Sequence, residues 1–98
     1  MPDDAEQGRS PLARVEAIRD RLQSLSPQQL NVQDESHLHV GHPGARDGRG
    51  HFRVWIVSDQ FRGLPRLARH RRVYRALGSM METDIHALSI EAFSSNEI

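Results

Sequence analysis

The stretch "HFRVWIVSDQFRGLPRLARHRRVYRAL", residues 51–77, contains the strand and the helix on which the fold depends. In its first residues Phe52, Val54 and Ile56 alternate with His51, Arg53 and Trp55. β-Branched and aromatic types dominate there, which is typical of a strand. Pro65 suits the first turn of a helix, and apolar residues recur at helical spacing from there to about Met81. The side chains expected on the apolar side of this helix are Leu67, His70, Val73, Tyr74, Leu77, Met80 and Met81.

The segment before this stretch predicts a first helix. In "SPLARVEAIRDRLQSLSP", residues 10–27, Ser10 can cap the helix, Pro11 suits its first position and Pro27 ends it. Its predicted apolar stripe consists of Leu12, Val15, Ile18, Leu22 and Leu25.

Two shorter segments predict strands: "LNVQDES", residues 30–36, and "IHALSIEAF", residues 85–93. The glycine-rich segment "GHPGARDGRG", residues 41–50, predicts a loop between the first two strands. In the last strand, the residues expected on one face are His86, Leu88, Ile90 and Ala92, and those expected on the other are Ile85, Ala87, Ser89 and Phe93.

The predicted order is helix, strand, strand, helix, strand, with a short helical turn near Asp59–Phe61. We expect an α+β fold in which helices pack on one face of a three-stranded sheet, with the first two strands antiparallel. One domain is expected over residues 10–93, between a flexible tail at 1–9 and a frayed tail at 94–98.

Composition excludes several functions. Thirteen arginines balance thirteen acidic residues in a chain of 98, so attraction of the whole molecule to nucleic acid is not implied. The chain has no cysteine, which excludes disulfides, zinc fingers and thiol nucleophiles. There is no apolar run of membrane-spanning length, and the acidic N-terminus is unlike a secretory signal. We therefore expect a soluble, cytoplasmic protein.

The second helix is strongly basic, and two interpretations stay open. Its arginines can form the solvated face that an amphipathic helix requires, or they can bind the phosphates of a nucleic acid. The candidates for phosphate contacts are Arg62, Arg66, Arg69, Arg71, Arg72 and Arg75.

The histidines are the candidates for metal binding. His37 and His39 are two apart on a predicted strand, so both could face one ion, with His42 close behind in the loop. Neutral imidazole suits zinc, copper, nickel or iron. The alternatives are solvated loop histidines for these three and a hydrogen-bonded buried histidine for His86. His70 is expected to be a hydrogen-bonded core or boundary histidine rather than a ligand.

Nothing in the sequence indicates an enzyme. "GHPG" lies between strands rather than between helices, so it lacks the nucleotide-clamping geometry of a G-x-x-G loop. Ser36 and His37 are neighbours on a predicted strand and so point to opposite faces. No pair of carboxylates stands out.

Four motifs in register resemble the BolA family over about residues 12–93. They are "DESHLHVGHPGA", "HFRVWIVSDQF" followed by "RGLP", "RHRRVYRAL" and "IHALSI". The resemblance implies a class II KH-like fold with the order helix–strand–strand–helix–helix–strand.

The resemblance also implies a partner and a cofactor. BolA-like proteins pair with monothiol glutaredoxins, and the heterodimer holds a [2Fe–2S] cluster together with glutathione. The matching ligands here are His86 and, in the loop, His39, with His37 and His42 as alternatives. The isolated chain, a monomer, is expected to hold no cofactor. Because imidazole must be neutral to bind iron, the complex should weaken as pH falls through the ordinary histidine pKa of about 6.5.

Two alternatives remain from the sequence. Family members are also described as DNA-binding transcriptional regulators of stress response and cell shape, a role that would use the basic helix at 65–81. A zinc site made only of His37, His39, His42 and His86 would bind metal without a partner.

Overall fold

The computed structural model describes residues 10–39 and 49–98, apart from the side chains of residues 38 and 39. Its main elements are α1 (Pro11–Leu22), β1 (Gln29–Asp34), β2 (Gly50–Val57), α2 (Arg66–Leu77), α3 (Met80–Thr83) and β3 (Ile85–Phe93). Short 3-10 turns cover Gln23–Leu25, Ser36–His39, Asp59–Phe61 and Ser95–Glu97. This order confirms the predicted α+β fold, including the turn after the second strand. The expected tail at 1–9 and most of the glycine-rich loop lie outside the described residues.

The three strands form one mixed sheet in the order β1-β2-β3. β1 runs antiparallel to β2, as predicted, and β3 runs parallel to β2. Parallel strands require a crossover connection, and α2 and α3 provide it. One face of the sheet packs against the helices, and β2 lies at the centre. The buried core consists of Ile18, Leu22, Leu25, Phe52, Val54, Ile56, Phe61, Val73, Leu77, Met80, Ile85 and Ile90.

The first helix begins as its sequence predicts. The Ser10 hydroxyl accepts a hydrogen bond from the Ala13 amide at 3.1 Å, and Pro11 occupies the first turn. Leu12, however, is exposed, and Arg14 is buried in its place. At about 100° per residue, Leu12 lies about 100° from the mean direction of Ile18 and Leu22, whereas Arg14 lies about 60° from it.

The second helix is shorter than the predicted span of 65–81. It ends at Leu77, because Gly78 adopts φ 57° and ψ −129°, a backbone conformation that residues other than glycine avoid. Arg21 Nη1 donates to the Leu77 carbonyl oxygen at 2.8 Å and satisfies one of the last helix acceptors. Leu67 and Tyr74 were expected on the apolar side but are exposed, since they lie on the flanks of the stripe that Val73 and Leu77 bury.

A β-bulge changes the expected alternation of the last strand. Gly50 pairs with Ile85, and the next residue of β2, His51, pairs with Ala87, so His86 is the extra residue. Ile85 is therefore buried in the same core as Ile90, although the two differ by an odd number of positions. His86 is exposed instead of sharing the apolar face of the strand.

Residues 94–98, which the sequence predicts as a frayed tail, make defined contacts in the structure. Ser94 is buried, and Ser95–Glu97 forms a 3-10 turn closed by a capping box between Ser94 and Glu97. Arg69 donates to both carboxylate oxygens of Glu97, at 2.6 and 2.7 Å. We call the contacts among Arg69, Ser94 and Glu97 the C-terminal staple.

Candidate functional site

The sheet brings the predicted ligand segments to one of its ends. Asp34, the last residue of β1, pairs with Phe52 near the start of β2, and Gly50 pairs with Ile85 at the start of β3. The Ser36–His39 turn is separated from β1 by one residue, Glu35, and His86 is the second residue of β3. We call this region, formed by the Ser36–His39 turn and the first residues of β2 and β3, the histidine end of the sheet.

Hydrogen bonds tie the turn to the start of β2. The Ser36 amide donates to the Asp34 carboxylate at 2.8 Å, and the Ser36 hydroxyl accepts from the His51 amide at 3.0 Å. The Glu35 amide donates to the His51 carbonyl oxygen at 2.8 Å. An aspartate bonding two residues onward is a common way to turn the chain, and it ends β1 before Ser36.

This turn changes the geometry expected for the loop histidines. His37 and His39 lie in a 3-10 turn, not in a strand, so the argument that they share a strand face does not hold. With three residues per turn, positions two apart lie about 120° apart around the axis. His37 is exposed, and His42 lies outside the described residues. The sequence therefore placed His37 and His39 just after the first strand, where the structure has them, but in the wrong local structure.

The bulge that exposes His86 depends on Gly50. A Cβ at this position would lie 2.7 and 2.8 Å from two atoms of the Phe52 ring and 2.8 Å from the Ser36 hydroxyl. The Gly50 amide donates to the Asp84 carbonyl oxygen at 2.9 Å. Only glycine allows the backbone at position 50 to lie this close to the Phe52 ring and the Ser36 hydroxyl. Gly50 therefore positions the histidine end although it is far from His86 in the sequence.

His86 is surrounded by groups that the sequence analysis did not single out. Its Nδ1 lies 3.3 Å from Nη2 of Arg49, and its ring centroid lies 5.3 Å from that of His51. Arg49 Nη1 also donates to the Met81 carbonyl oxygen at 3.2 Å. These neighbours come from the pairing of Gly50 and His51 with β3 on either side of the bulge, which local sequence patterns do not reveal. The expectation of a buried His86, favoured on residues alone, is wrong.

A buried ion pair supports the start of β3 from behind. Arg14 Nε lies 3.4 Å from the Asp84 carboxylate, and the two side chains are only 10% and 4% exposed. The Thr83 hydroxyl lies 2.6 Å from the other Asp84 oxygen. Because Asp84 directly precedes Ile85, these contacts anchor the strand where the bulge begins.

The donor set of the described residues fits part of a metal site. Among the residues whose side chains the structure describes, no group of three or more histidine, cysteine, aspartate or glutamate side chains could hold a metal. The chain has no cysteine. An exposed imidazole at His86 and a second histidine segment at the same sheet end can supply part of a four-ligand iron site.

The candidate phosphate-binding arginines divide into two kinds. Arg69 was expected on the solvated side of the helix, but its side chain is 11% exposed and donates to Leu64, Ala92 and Glu97. Arg62 is exposed and donates to the Asp59 carboxylate at 2.9 Å. The arginines exposed along α2 are Arg66, Arg71, Arg72 and Arg75.

His70 is half-buried, which agrees with the boundary alternative of its two predicted positions. It lines a cavity of about 390 Å³ between α2 and the second half of β3, with Leu64, Ile90 and Phe93 among its walls. Burial lowers the pKa of His70, and the positive charge of Arg66 lowers it further. This cavity adjoins the C-terminal staple and not the histidine end.

The fold and the exposed histidine define the class of the protein: a small α+β domain that presents an imidazole at one end of a mixed sheet. A family model described as BolA-like protein matches residues 8–97, nearly the whole chain. The chain belongs to the BolA family, as the motifs indicated.

Individual relatives agree with this assignment. The chain is 39% identical over 105 residues to "SufE-like protein 1, chloroplastic/mitochondrial" of Arabidopsis thaliana, covering 98% of this chain and 28% of that protein. It is 44% identical over 77 residues to "BolA-like protein 1" of Homo sapiens, covering 78% of this chain and 54% of the relative. The chain thus spans between about a quarter and about half of the length of these two relatives.

The solved structures give the same fold. The BolA domain of SufE1 from Arabidopsis thaliana superposes with a TM-score of 0.79 at 40% identity, covering 88% of this chain and 96% of that one. Within residues 10–39 and 49–98, no helix has the length and apolar character needed to cross a membrane. Because the first relative is named for chloroplasts and mitochondria, the expected cytoplasmic location stays a prediction.

Proposed function

We propose that this protein is a non-enzymatic adaptor that holds a [2Fe–2S] cluster jointly with a monothiol glutaredoxin, with His86 and His39 as its own ligands. The observation that carries the proposal is the exposed His86, displaced from the strand face by a bulge and located at the same sheet end as the Ser36–His39 turn. An imidazole in this position is accessible to a second protein.

The chemistry of the ligands supports a shared site. A chain without cysteine contributes only imidazoles here, so the thiolates come from the cysteine of the partner and from its bound glutathione. Two imidazoles on one iron would raise the reduction potential of the cluster relative to a cluster bound only by thiolates. The residues of this chain keep His86 exposed: Gly50 permits the bulge, and the Arg14–Asp84 pair anchors the strand behind it.

The proposal is tested by mixing the protein with a cluster-loaded monothiol glutaredoxin and recording visible circular dichroism. We expect a new spectrum on mixing, which His86→Ala abolishes or changes. His37→Ala, His39→Ala and His42→Ala form a matched set for the loop ligand, and only His39→Ala is expected to alter the spectrum. A His86→Ala complex with the wild-type spectrum would rule the proposal out. Zinc binding by the protein alone, as tight as its binding of the cluster with glutaredoxin, would favour the histidine-only zinc site instead.

A second candidate function is DNA binding for transcriptional regulation, favoured by the exposure of Arg66, Arg71, Arg72 and Arg75 along α2. Arg69 is a poor candidate for phosphate contacts because its donors bind groups of this chain. The DNA affinity should fall with log salt at a slope of roughly −0.9 for each phosphate neutralised. An affinity that does not respond to salt would exclude this function.

A further inference from the structure

The contact between Arg49 and His86 defines the tautomer of the imidazole. Arg49 Nη2 lies 3.3 Å from Nδ1 of His86, while Nη1 of the same guanidinium donates to the Met81 carbonyl oxygen at 3.2 Å. A guanidinium donates hydrogen bonds and cannot accept them. Nδ1 therefore accepts from Arg49, and the proton of the neutral ring lies on Nε2.

This tautomer conflicts with metal binding by a neutral imidazole while Arg49 stays in place. If Nδ1 binds the metal, it uses the lone pair that accepts from Arg49. If Nε2 binds, its proton moves to Nδ1, and the new Nδ1–H then faces the N–H groups of Arg49. Both routes require Arg49 to withdraw, so its contact with His86 and ligation by neutral His86 exclude each other.

The arrangement is the reverse of the usual support for a metal-binding histidine. Such a histidine normally donates its other ring N–H to a carboxylate, a backbone carbonyl or a water, which raises the basicity of the ligand. Here the group beside the ring is a cation that can only donate. It stabilises the chain without metal more than the chain with metal.

Resting on the function proposed above, we propose that Arg49 is a positioning residue that competes with the metal for His86 and so weakens the shared site. Its guanidinium is held between the Met81 carbonyl oxygen and His86, at the start of β2 and directly before Gly50. The competition favours release of the bound cluster to an acceptor protein over its retention.

Two substitutions of Arg49 separate the competition from a simple charge effect. Arg49→Met removes the donor and keeps a long side chain, and Arg49→Gln offers an amide oxygen that can accept from Nδ1–H. Arg19→Met is the matched control, because Arg19 is an exposed arginine on α1. Cluster retention by the glutaredoxin complex is measured by visible circular dichroism while a chelator is added, and urea unfolding checks that each variant is folded.

We expect Arg49→Met to raise retention about 2- to 10-fold, the range that corresponds to the net worth of one hydrogen bond. Arg49→Gln should raise retention at least as much, and Arg19→Met should leave it unchanged. If Arg49 acted only through its charge, both substitutions would lower retention, because removing a positive charge beside an anionic cluster weakens the binding of the cluster. Retention that is equal or lower in both Arg49 variants overturns the inference.

A measurement on the isolated protein tests the contact itself. Long-range ¹H–¹⁵N spectra at pH 8 should show Nδ1 of His86 unprotonated in the wild-type protein, with a resonance that moves in Arg49→Met when its donor is lost. An unmoved resonance overturns the inference. If His86→Ala leaves the spectrum of the complex unchanged, the proposed function fails and this inference with it. If His86→Ala changes that spectrum and the Arg49 variants do not alter retention, the inference alone fails.

Discussion

At the start of β3, Nη2 of Arg49 lies 3.3 Å from Nδ1 of the exposed His86. At the end of the same strand, Arg69 of α2 donates to two carbonyl oxygens and to the carboxylate of Glu97. The Arg69 side chain is almost buried, and its acceptors all belong to this chain. His86 lies on an irregular part of the strand that faces outward. The C-terminal staple therefore ties the last residues to α2, while the histidine end leaves an imidazole accessible to another protein.

The histidine end should be disrupted most by Asp84→Ala, which leaves the guanidinium of Arg14 buried without its carboxylate. Removing one partner of a buried pair costs about 3–5 kcal/mol, because the remaining charge is not compensated. Urea unfolding would measure the loss. The double variant Arg14→Met/Asp84→Leu removes both charges and should be much more stable than Asp84→Ala. Equal stabilities would mean that the pair does not anchor β3.

Gly50→Ala should have the next largest effect at the same end. The added methyl group would meet the Phe52 ring and the Ser36 hydroxyl at under 3 Å, and overpacking of this kind costs about 1–3 kcal/mol. We expect shifted NMR signals for His86 and His51. Gly63→Ala is the control, since nothing lies within 4 Å of its added methyl group and only its φ of 77° is unfavourable. Unshifted His86 signals in Gly50→Ala would show that the bulge tolerates a side chain.

Acid should weaken the C-terminal staple, because Glu97 must be ionised to accept from Arg69. The hydrogen bonds from Arg69, with a further one from the Ser94 amide, lower the pKa of Glu97 from 4.5 to about 2. Because the pKa is lower in the folded chain, this stabilisation is present above pH 4.5 and is lost as the pH falls toward 2. The protection of the amides of residues 94–98 against exchange, taken relative to the intrinsic rate at each pH, should fall over this range. In Glu97→Gln this protection should be low already at neutral pH, and strong protection there would contradict the staple.

The smallest expected effect concerns His70, beside the staple. Arg66→Gln should raise the pKa of His70, because it removes the nearby positive charge. The pKa should nevertheless stay below the ordinary value, since burial is the larger cause of its depression. An NMR titration of the His70 ring protons, in the wild type and in the variant, measures the rise of the pKa and its remaining difference from the ordinary value. Arg75→Gln, on the same helix, is the control, and a similar shift in both variants would show that the charge acts without regard to position.

Local patterns in the sequence were sufficient for most of the fold. The alternation through Phe52, Val54 and Ile56 predicted the central strand, and Ser10 and Pro11 marked the beginning of α1, because these signals depend only on neighbouring residues. The same patterns misplaced Leu12, Leu67 and Tyr74, which are apolar but lie on the flanks of their helices. Periodicity indicates which side of a helix is apolar, but the packing of neighbouring elements decides how much of that side is covered.

By itself the sequence determined the order of the elements, the core strand and the family, because periodicity, capping residues and motifs are properties of consecutive positions. The tertiary structure decided where His86 points and which arginines are available. The bulge at His86 follows from the pairing of β3 with Gly50, and the burial of Arg69 follows from acceptors 5 to 28 positions away in the chain. Both features depend on contacts between distant segments, which no local pattern encodes.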